Sequence, residues 1–201
     1  MPPSRILAAL ATLLAMTLMN QAKADSIVVG GGCFWCMDAA YKLLPGVTRI
    51  TCGYAGGSVP HPSYEQVCTE GTGHAEVVKV EFDPAKVTLA QILGYFWESH
   101  DSTQVGGQGN DMGSQYRSII LYADPAQKAA AEKSRAEAQK HSSEPITTEI
   151  VPLTAFWPAE DYHQDYFEKH PDRAYCSAVI RPKVDKLRHL LKTAPPTAPS
   201  S

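Results

Sequence analysis

Three consecutive glycines, Gly30-Gly31-Gly32, stand between a β-branched run, Ser26-Ile27-Val28-Val29, and a segment with apolar residues at helical spacing. Glycine lets backbone take left-handed dihedrals or approach another group closely. A strand that enters such a triplet and leaves as a helix must turn within a few residues. The triplet is therefore the tightest local constraint on the fold. The remaining glycines extend the pattern: all 14 lie between Gly30 and Gly113, and none falls in the last 88 residues (201 minus 113). The first half of the chain is expected to carry tight loops and the second half to serve as scaffold.

The helix after the triplet is expected over residues 33–44, with Phe34, Met37, Ala40, Tyr41 and Leu44 at helical spacing and Pro45-Gly46 as its stop. Strands are expected over 47–54, 75–82, 117–122 and 146–153. A helix over 88–100 has Thr88 as its cap and Leu89, Ile92, Leu93, Phe96 and Trp97 as one apolar stripe. Further helices are expected over 125–141, 160–168 and 182–192, and a glycine-rich loop over 106–113. No internal repeat and no Pro- or Ser-rich linker divides residues 25–192, so one domain is expected there. The order strand-helix-strand-strand-helix-strand, with later additions, predicts an α+β fold. It is a two-layer sandwich with a split βαβ (ferredoxin-like) core and helices on one face of a mixed or antiparallel sheet.

The ends read differently from the body. Arg5, the apolar run 6–19 and the small-x-small group Ala22-Lys23-Ala24 form the pattern of a secretory signal cut after Ala24. The apolar run is shorter than the ~20 residues a membrane span needs. Removal of residues 1–24 would take Arg5 and Lys23 away and move the formal charge from -3 to -5 (-3 minus 2). The expected location is the periplasm or outside the cell. Residues 193–201 are only Thr, Ala, Pro and Ser and are expected to form a disordered tail. The negative balance excludes a protein dominated by basic, nucleic-acid-binding surface.

Chemistry concentrates at Cys33-Phe34-Trp35-Cys36. A cysteine at the first turn of a helix meets unpaired N–H groups and the positive end of the dipole, which favour the thiolate. The preceding glycines would let a substrate approach its sulfur, and Cys36 follows on the same helix face within disulfide reach. Zinc is not expected, because no second C-x-x-C or His pair at metal spacing accompanies the first. His74-Ala75-Glu76 follows the cysteine pair, the reverse of the order in zinc deaminases. A dinucleotide fingerprint fails because Trp35 stands where the third glycine should be. The glycine-rich window also presents Tyr54 at a strand end, Glu76 at a strand start, and Asp111 and Tyr116 at the mouth of a third strand. Each alone is ordinarily structural. Beside a reactive thiol they supply the acid and hydroxyl donors that a poor oxyanion leaving group requires.

Gly32-Cys33-Phe34-Trp35, Gly73-His74-Ala75-Glu76, Gly109-Asn110-Asp111 and Gln115-Tyr116-Arg117-Ser118 resemble the successive motifs of the peptide methionine sulfoxide reductase A family. Ile146-Thr147-Thr148-Glu149-Ile150 and Ala159-Glu160-Asp161-Tyr162-His163-Gln164 fit its downstream pattern, so the likeness runs over residues 27–192. Asp38 stands where Glu is usual and Ser114 where Thr is common. A Gly-rich C-terminal segment with two recycling cysteines, present in some members, is absent. The resemblance implies repair of oxidised proteins by reduction of methionine S-sulfoxide, protein-bound or free. In that scheme Cys33 attacks the sulfur, protonated Glu76 supplies a proton to the oxygen, and Tyr54 and Tyr116 donate hydrogen bonds. Phe34 and Trp35 enclose the ε-methyl group, with Asp111 shaping the rim. Cys33 leaves as a sulfenic acid that a second thiol converts to a disulfide. Cys36 is ranked first as the resolving thiol on spacing, and Cys176, on a stretch expected to be mobile, second. Cys52 and Cys68 are expected to be buried small apolar residues. No metal or organic cofactor is implied. The expected partners are the sulfoxide substrate and a thioredoxin-like or other dithiol reductant, with no nucleic acid, no membrane span in the mature form and a monomeric state. Two rivals are a thiol–disulfide oxidoreductase using Cys33 and Cys36 alone and a non-catalytic binding domain presenting Trp35 and tyrosines.

Overall fold

In the computed structural model residues 25–193 are described. The expected signal segment and residues 194–201 lie outside the described residues. The strands are β1 (Asp25–Gly30), β2 (Val47–Ala55), β3 (Ala75–Phe82), β4 (Gly107–Gln108), β5 (Asp111–Met112), β6 (Ile119–Tyr122), β7 (Glu149–Pro152) and β8 (Phe156–Pro158). The helices are α1 (Phe34–Tyr41), α2 (Tyr64–Cys68), α3 (Leu89–Ser99), α4 (Pro125–Gln139), α5 (Tyr166–Lys169) and α6 (Arg181–Thr193). Six strands form one sheet in the order β7-β6-β1-β3-β2-β8, antiparallel throughout except for the parallel pair β6–β7. Its centre, β6-β1-β3-β2, is the split βαβ arrangement that the element order predicts, with β7 and β8 added at the two edges.

Alternation along β3 decides which face does what. Val78, Val80 and Phe82 point to the face covered by α1, α3 and α6, where they join Ile27, Val29, Phe34, Met37, Tyr41, Leu93, Phe96 and Leu187 in the main core. Ala75 and Val77 point the other way, into a smaller cluster with Val28, Ile119 and Leu121. Burying each large apolar side chain contributes roughly 1.5–3 kcal/mol over leaving it exposed. The same alternation puts Glu76 on the helix-covered face, and the β2–β3 register sets Tyr54 opposite it.

Several boundaries differ from expectation. Cys33 is the N-cap of α1 and lies outside the helix. The expected helix over 160–168 is two pieces, a 3-10 turn (Asp161–His163) and α5, parted at Asp165, whose φ of 57° is left-handed. Thr193, expected in the tail, is the last residue of α6. The glycine-rich loop contains the small β4–β5 hairpin. Helix α2 was not foreseen because five residues carry no periodicity. Its capping box was nonetheless present: the Ser63 side chain accepts from the Gln66 N–H, and the Gln66 side chain accepts from the Ser63 N–H. Strand β8 is three residues ending in proline, which an edge strand tolerates.

Candidate active site

The triplet turn delivers Cys33 to the sheet edge of α1. Gly32 has a φ of 95°, a region that L side chains avoid. A Cβ on Gly31 would stand 2.8 Å from the His100 ring. That ring is itself pinned, with Nδ1 on the Phe96 carbonyl at 2.9 Å and Nε2 on Ser118 Oγ at 2.7 Å. Desolvation lowers its pKa to about 4, so it is a neutral prop under the loop.

The first N–H of α1 does not serve the thiol. Phe34 N–H donates to Glu76 Oε2 at 3.0 Å. The expected stabilisation of a Cys33 thiolate by the helix N-terminus is therefore replaced by a hydrogen bond to the carboxyl group. Burial pushes the Cys33 thiol well above its ordinary range, and its hydrogen bond to Cys36 and the neighbouring Glu76 charge push the same way. Glu76 is 1% exposed, and burial raises its pKa to about 8 despite the Phe34 N–H. Its carboxyl is within hydrogen-bond reach of Cys33. Cys36 goes in the opposite direction, to about 7, first through the hydrogen bond from Cys33 and then, against burial, through Lys183 and Tyr175.

Cys33, Phe34, Trp35, Tyr64, Glu76, Asp111, Tyr116 and Tyr175 line one cavity of about 210 Å³. The structure thus brings together six of the seven residues expected to react or to bind substrate. The exception is Tyr54. It is fully buried, and its hydroxyl donates to Glu160 Oε2 at 2.8 Å. Tyr64 occupies the cavity instead, and its backbone N–H donates to the other oxygen of Glu160 at 2.9 Å. Burial raises the pKa of Tyr64 and Tyr116, with the Glu76 charge adding to both. Both hydroxyls are neutral donors. Trp35 is fixed on three sides: it stacks on Tyr166 at 3.7 Å, meets Tyr175 edge-on, and donates its Nε1–H to His163 Nδ1 at 3.2 Å. A larger cavity of about 550 Å³, lined by Lys42, Arg49, Thr51, Asp161 and Asp165 among others, has no cysteine in its lining.

A sequence profile described as peptide methionine sulfoxide reductase matches residues 25–194. The chain belongs to the peptide methionine sulfoxide reductase A family. It is an oxidoreductase. A relative from Haloquadratum walsbyi named peptide methionine sulfoxide reductase MsrA is 51% identical over 164 residues, 82% of this chain and 94% of the relative. Mxr1 from Saccharomyces cerevisiae in reduced form has the same fold, with a TM-score of 0.73 and 33% identity over 78% of this chain and 91% of that one. Mxr1 has also been solved in complex with Trx2, and that chain matches with a TM-score of 0.53 and 25% identity over 73% of this chain and 87% of its own length.

In this reductase the remaining cysteines differ in setting. Cys176 is not on a loose stretch. It is fully buried at the start of a π-helical turn (Cys176–Ile180) that runs into α6, close enough to Cys36 for that charge to raise its thiol. Cys52 is buried as expected, but Cys68, expected to be buried, is exposed at the end of α2 and hydrogen-bonds Tyr64. Tyr175 and His163 adjoin the site at positions that the motif reading missed. Tyr175 donates to Asp111 Oδ2 at 2.6 Å, and its hydroxyl lies 3.8 Å from Cys36 Sγ. His163 packs against Phe34, Trp35 and Tyr64 at once. The only available signals were the adjacency of Tyr175 to Cys176 and the place of His163 in the downstream motif.

Proposed function

We propose that the protein reduces the S epimer of methionine sulfoxide, free or within oxidised proteins, using Cys33 as nucleophile. The observation that carries this reading is a thiol and a carboxyl raised to about 8 facing one small cavity beside an aromatic wall. The ε-methyl group sits against Phe34 and Trp35, and the sulfoxide oxygen faces Glu76, Tyr64 and Tyr116. Glu76 gives its proton to that oxygen as Cys33 attacks sulfur, and the proton of the thiol returns to Glu76. The oxygen ends on Cys33 as a sulfenic acid. The substrate sulfur is reduced by two electrons, Cys33 is oxidised by two, and methionine leaves. Cys36 then forms a disulfide with Cys33 and water is released. Cys176, beside Cys36, is the second acceptor in line. A thioredoxin-like dithiol returns the two electrons, a reading supported by the Mxr1–Trx2 complex. No metal or organic cofactor enters the scheme.

Purified protein with dithiothreitol is expected to reduce the S form and leave the R form, and Cys33→Ser to be inactive. Normal sulfoxide turnover by Cys33→Ser sinks the reading. Cys33 at the N-cap of α1 with Cys36 in its first turn favours, as a second reading, a thiol–disulfide oxidoreductase. That reading predicts disulfide exchange on protein substrates without sulfoxide reduction. Export is part of the proposal: Arg5, the apolar run and Ala22-Lys23-Ala24 support removal of residues 1–24 and work in the periplasm or outside the cell. Sequencing the N-terminus of the exported protein tests it.

A further inference from the structure

The resolving half of the cycle makes a further demand for proton transfer, at Cys36. When Cys36 attacks the Cys33 sulfenic acid, the S–S bond forms, the S–O bond breaks, and hydroxide must leave as water. One proton has to leave the Cys36 thiol and one has to reach the departing oxygen. The Glu76 carboxyl accepts from the Phe34 N–H, whereas the Cys36 thiol contacts the Tyr175 hydroxyl. The groups that touch Cys36 come from elsewhere in the chain.

Resting on the proposed function above, we infer that the Tyr175 hydroxyl and the Asp111 carboxylate form a proton relay that serves the attack of Cys36 on oxidised Cys33. Tyr175 holds its hydroxyl between the two partners, donating to Asp111 Oδ2 at 2.6 Å while its oxygen lies 3.8 Å from Cys36 Sγ. The short contact to a carboxylate makes it a strong hydrogen bond. It leaves the oxygen lone pairs of Tyr175 free for the Cys36 S–H. As the S–S bond forms, the Cys36 proton passes to the Tyr175 oxygen and the Tyr175 proton passes to Asp111. Asp111 lines the cavity with Cys33, so it is placed to return that proton to the departing hydroxide as water. Both relay groups end as they began: Cys33–S–OH and Cys36–SH become Cys33–S–S–Cys36 and water. Two separate elements create the arrangement. Asp111 stands on the β4–β5 hairpin, and Tyr175 is held at the entry to the π-turn with its ring edge-on to Trp35 at 5.9 Å. The relay therefore assigns Asp111 a chemical task in addition to shaping the rim.

The test is a single turnover without external reductant, with methionine and the state of Cys33 followed by quenched mass spectrometry in the presence of dimedone. A parallel series replaces the sulfoxide with hydrogen peroxide, which oxidises thiols without using the methionine pocket, and mass spectrometry assigns which of Cys33 and Cys36 is oxidised first. Tyr175→Phe keeps the ring and removes the hydroxyl. It is expected to slow Cys33–Cys36 disulfide formation about a hundredfold in both series, with the dimedone adduct of Cys33 accumulating. Asp111→Asn is expected to act in the same direction in the peroxide series. Disulfide formation at the wild-type rate by both variants after peroxide overturns the relay. Failure of the wild type to release methionine, with peroxide still yielding the disulfide, overturns the sulfoxide reading instead, so the two failures are distinct.

Discussion

Cys33 and Cys36 are three residues apart, yet the protein surrounds them with opposite chemistry. Cys33 lies in a buried pocket against a buried carboxyl, and burial raises its thiol well above the ordinary range. Cys36 is shifted the other way, first by its contact with Cys33 and then by the Lys183 charge and Tyr175. The difference shows what a bare C-x-x-C pattern leaves out. A helix N-terminus does not by itself select which cysteine becomes the nucleophile, because its free N–H can be taken by another acceptor, here Glu76. In the proposed mechanism, reactivity on the Cys33 side depends on protonating the substrate, and on the Cys36 side on removing a proton.

The largest effects should break this asymmetry outright. Cys33→Ser is expected to reduce methionine formation to background. Cys36→Ser should still release close to one methionine per enzyme in a burst and then stall, as single-turnover and steady-state assays together would show. Equal losses in both phases would mean that the two thiols do not divide the work. Glu76→Gln is expected to lower the methionine-forming rate about 10³-fold. Glu76 acts as an acid in its protonated form, so the wild-type rate should be highest below pH 8 and fall as pH rises through about 8. The glutamine variant should lose that limb. Stability follows the same sign. A carboxyl whose folded pKa is raised from 4.5 favours the folded state when protonated, and that contribution is lost as pH rises from 4.5 through about 8. Thermal melts should therefore show wild type losing ground to Glu76→Gln across this window.

The contrast between Tyr64 and Tyr54 comes next in size. Tyr64→Phe removes a hydroxyl that the proposed mechanism turns toward the sulfoxide oxygen and is expected to cost about 10²-fold in kcat/KM. Tyr54→Phe removes one that bonds Glu160, with an expected cost of about 1 kcal/mol in stability and little in rate. The reverse ranking would restore Tyr54 to the chemistry.

That pair also marks how far the site was legible in the sequence. Alternation in β3 and the glycine triplet were enough to bring Cys33 and Glu76 to one face, because both depend on local backbone geometry. The four central strands β6-β1-β3-β2 match the split βαβ pattern of the element order, while the edge places of β7 and β8 depend on long-range pairing. Tyr54 looked right because the strand register does set it opposite Glu76. What the register cannot reveal is where a long side chain ends. Its hydroxyl goes to Glu160, 106 residues later in the chain. Tyr64 was hidden by the brevity of α2, and Tyr175 by a fold-back of the C-terminal part onto α1. Both positions rest on long-range packing, which leaves no period in the sequence. The glycine-free half was read as scaffold, but it supplies Tyr116, Tyr175 and the clamp around Trp35.

That clamp carries the smallest and most discriminating prediction. His163 accepts the Trp35 indole N–H at 3.2 Å and packs its ring on Phe34 at 4.9 Å and Tyr64 at 4.5 Å. Accepting at Nδ1 places its own proton on Nε2, which faces Glu160 Oε2 at 3.9 Å. Burial lowers its pKa, so the neutral ring is retained as pH falls below the ordinary histidine range. It touches neither thiol in the contacts described above, and its part is to position the wall that receives the methyl group. His163→Leu leaves the indole N–H without its acceptor, at an expected cost of about 1–3 kcal/mol in stability. It should raise KM for the sulfoxide severalfold while kcat changes less, because the wall loosens and the Cys33–Glu76 pair does not. His163→Gln, which can still accept from the indole, should recover part of the KM. An equal fall in kcat with unchanged KM would place His163 on the Cys33 side of the comparison instead.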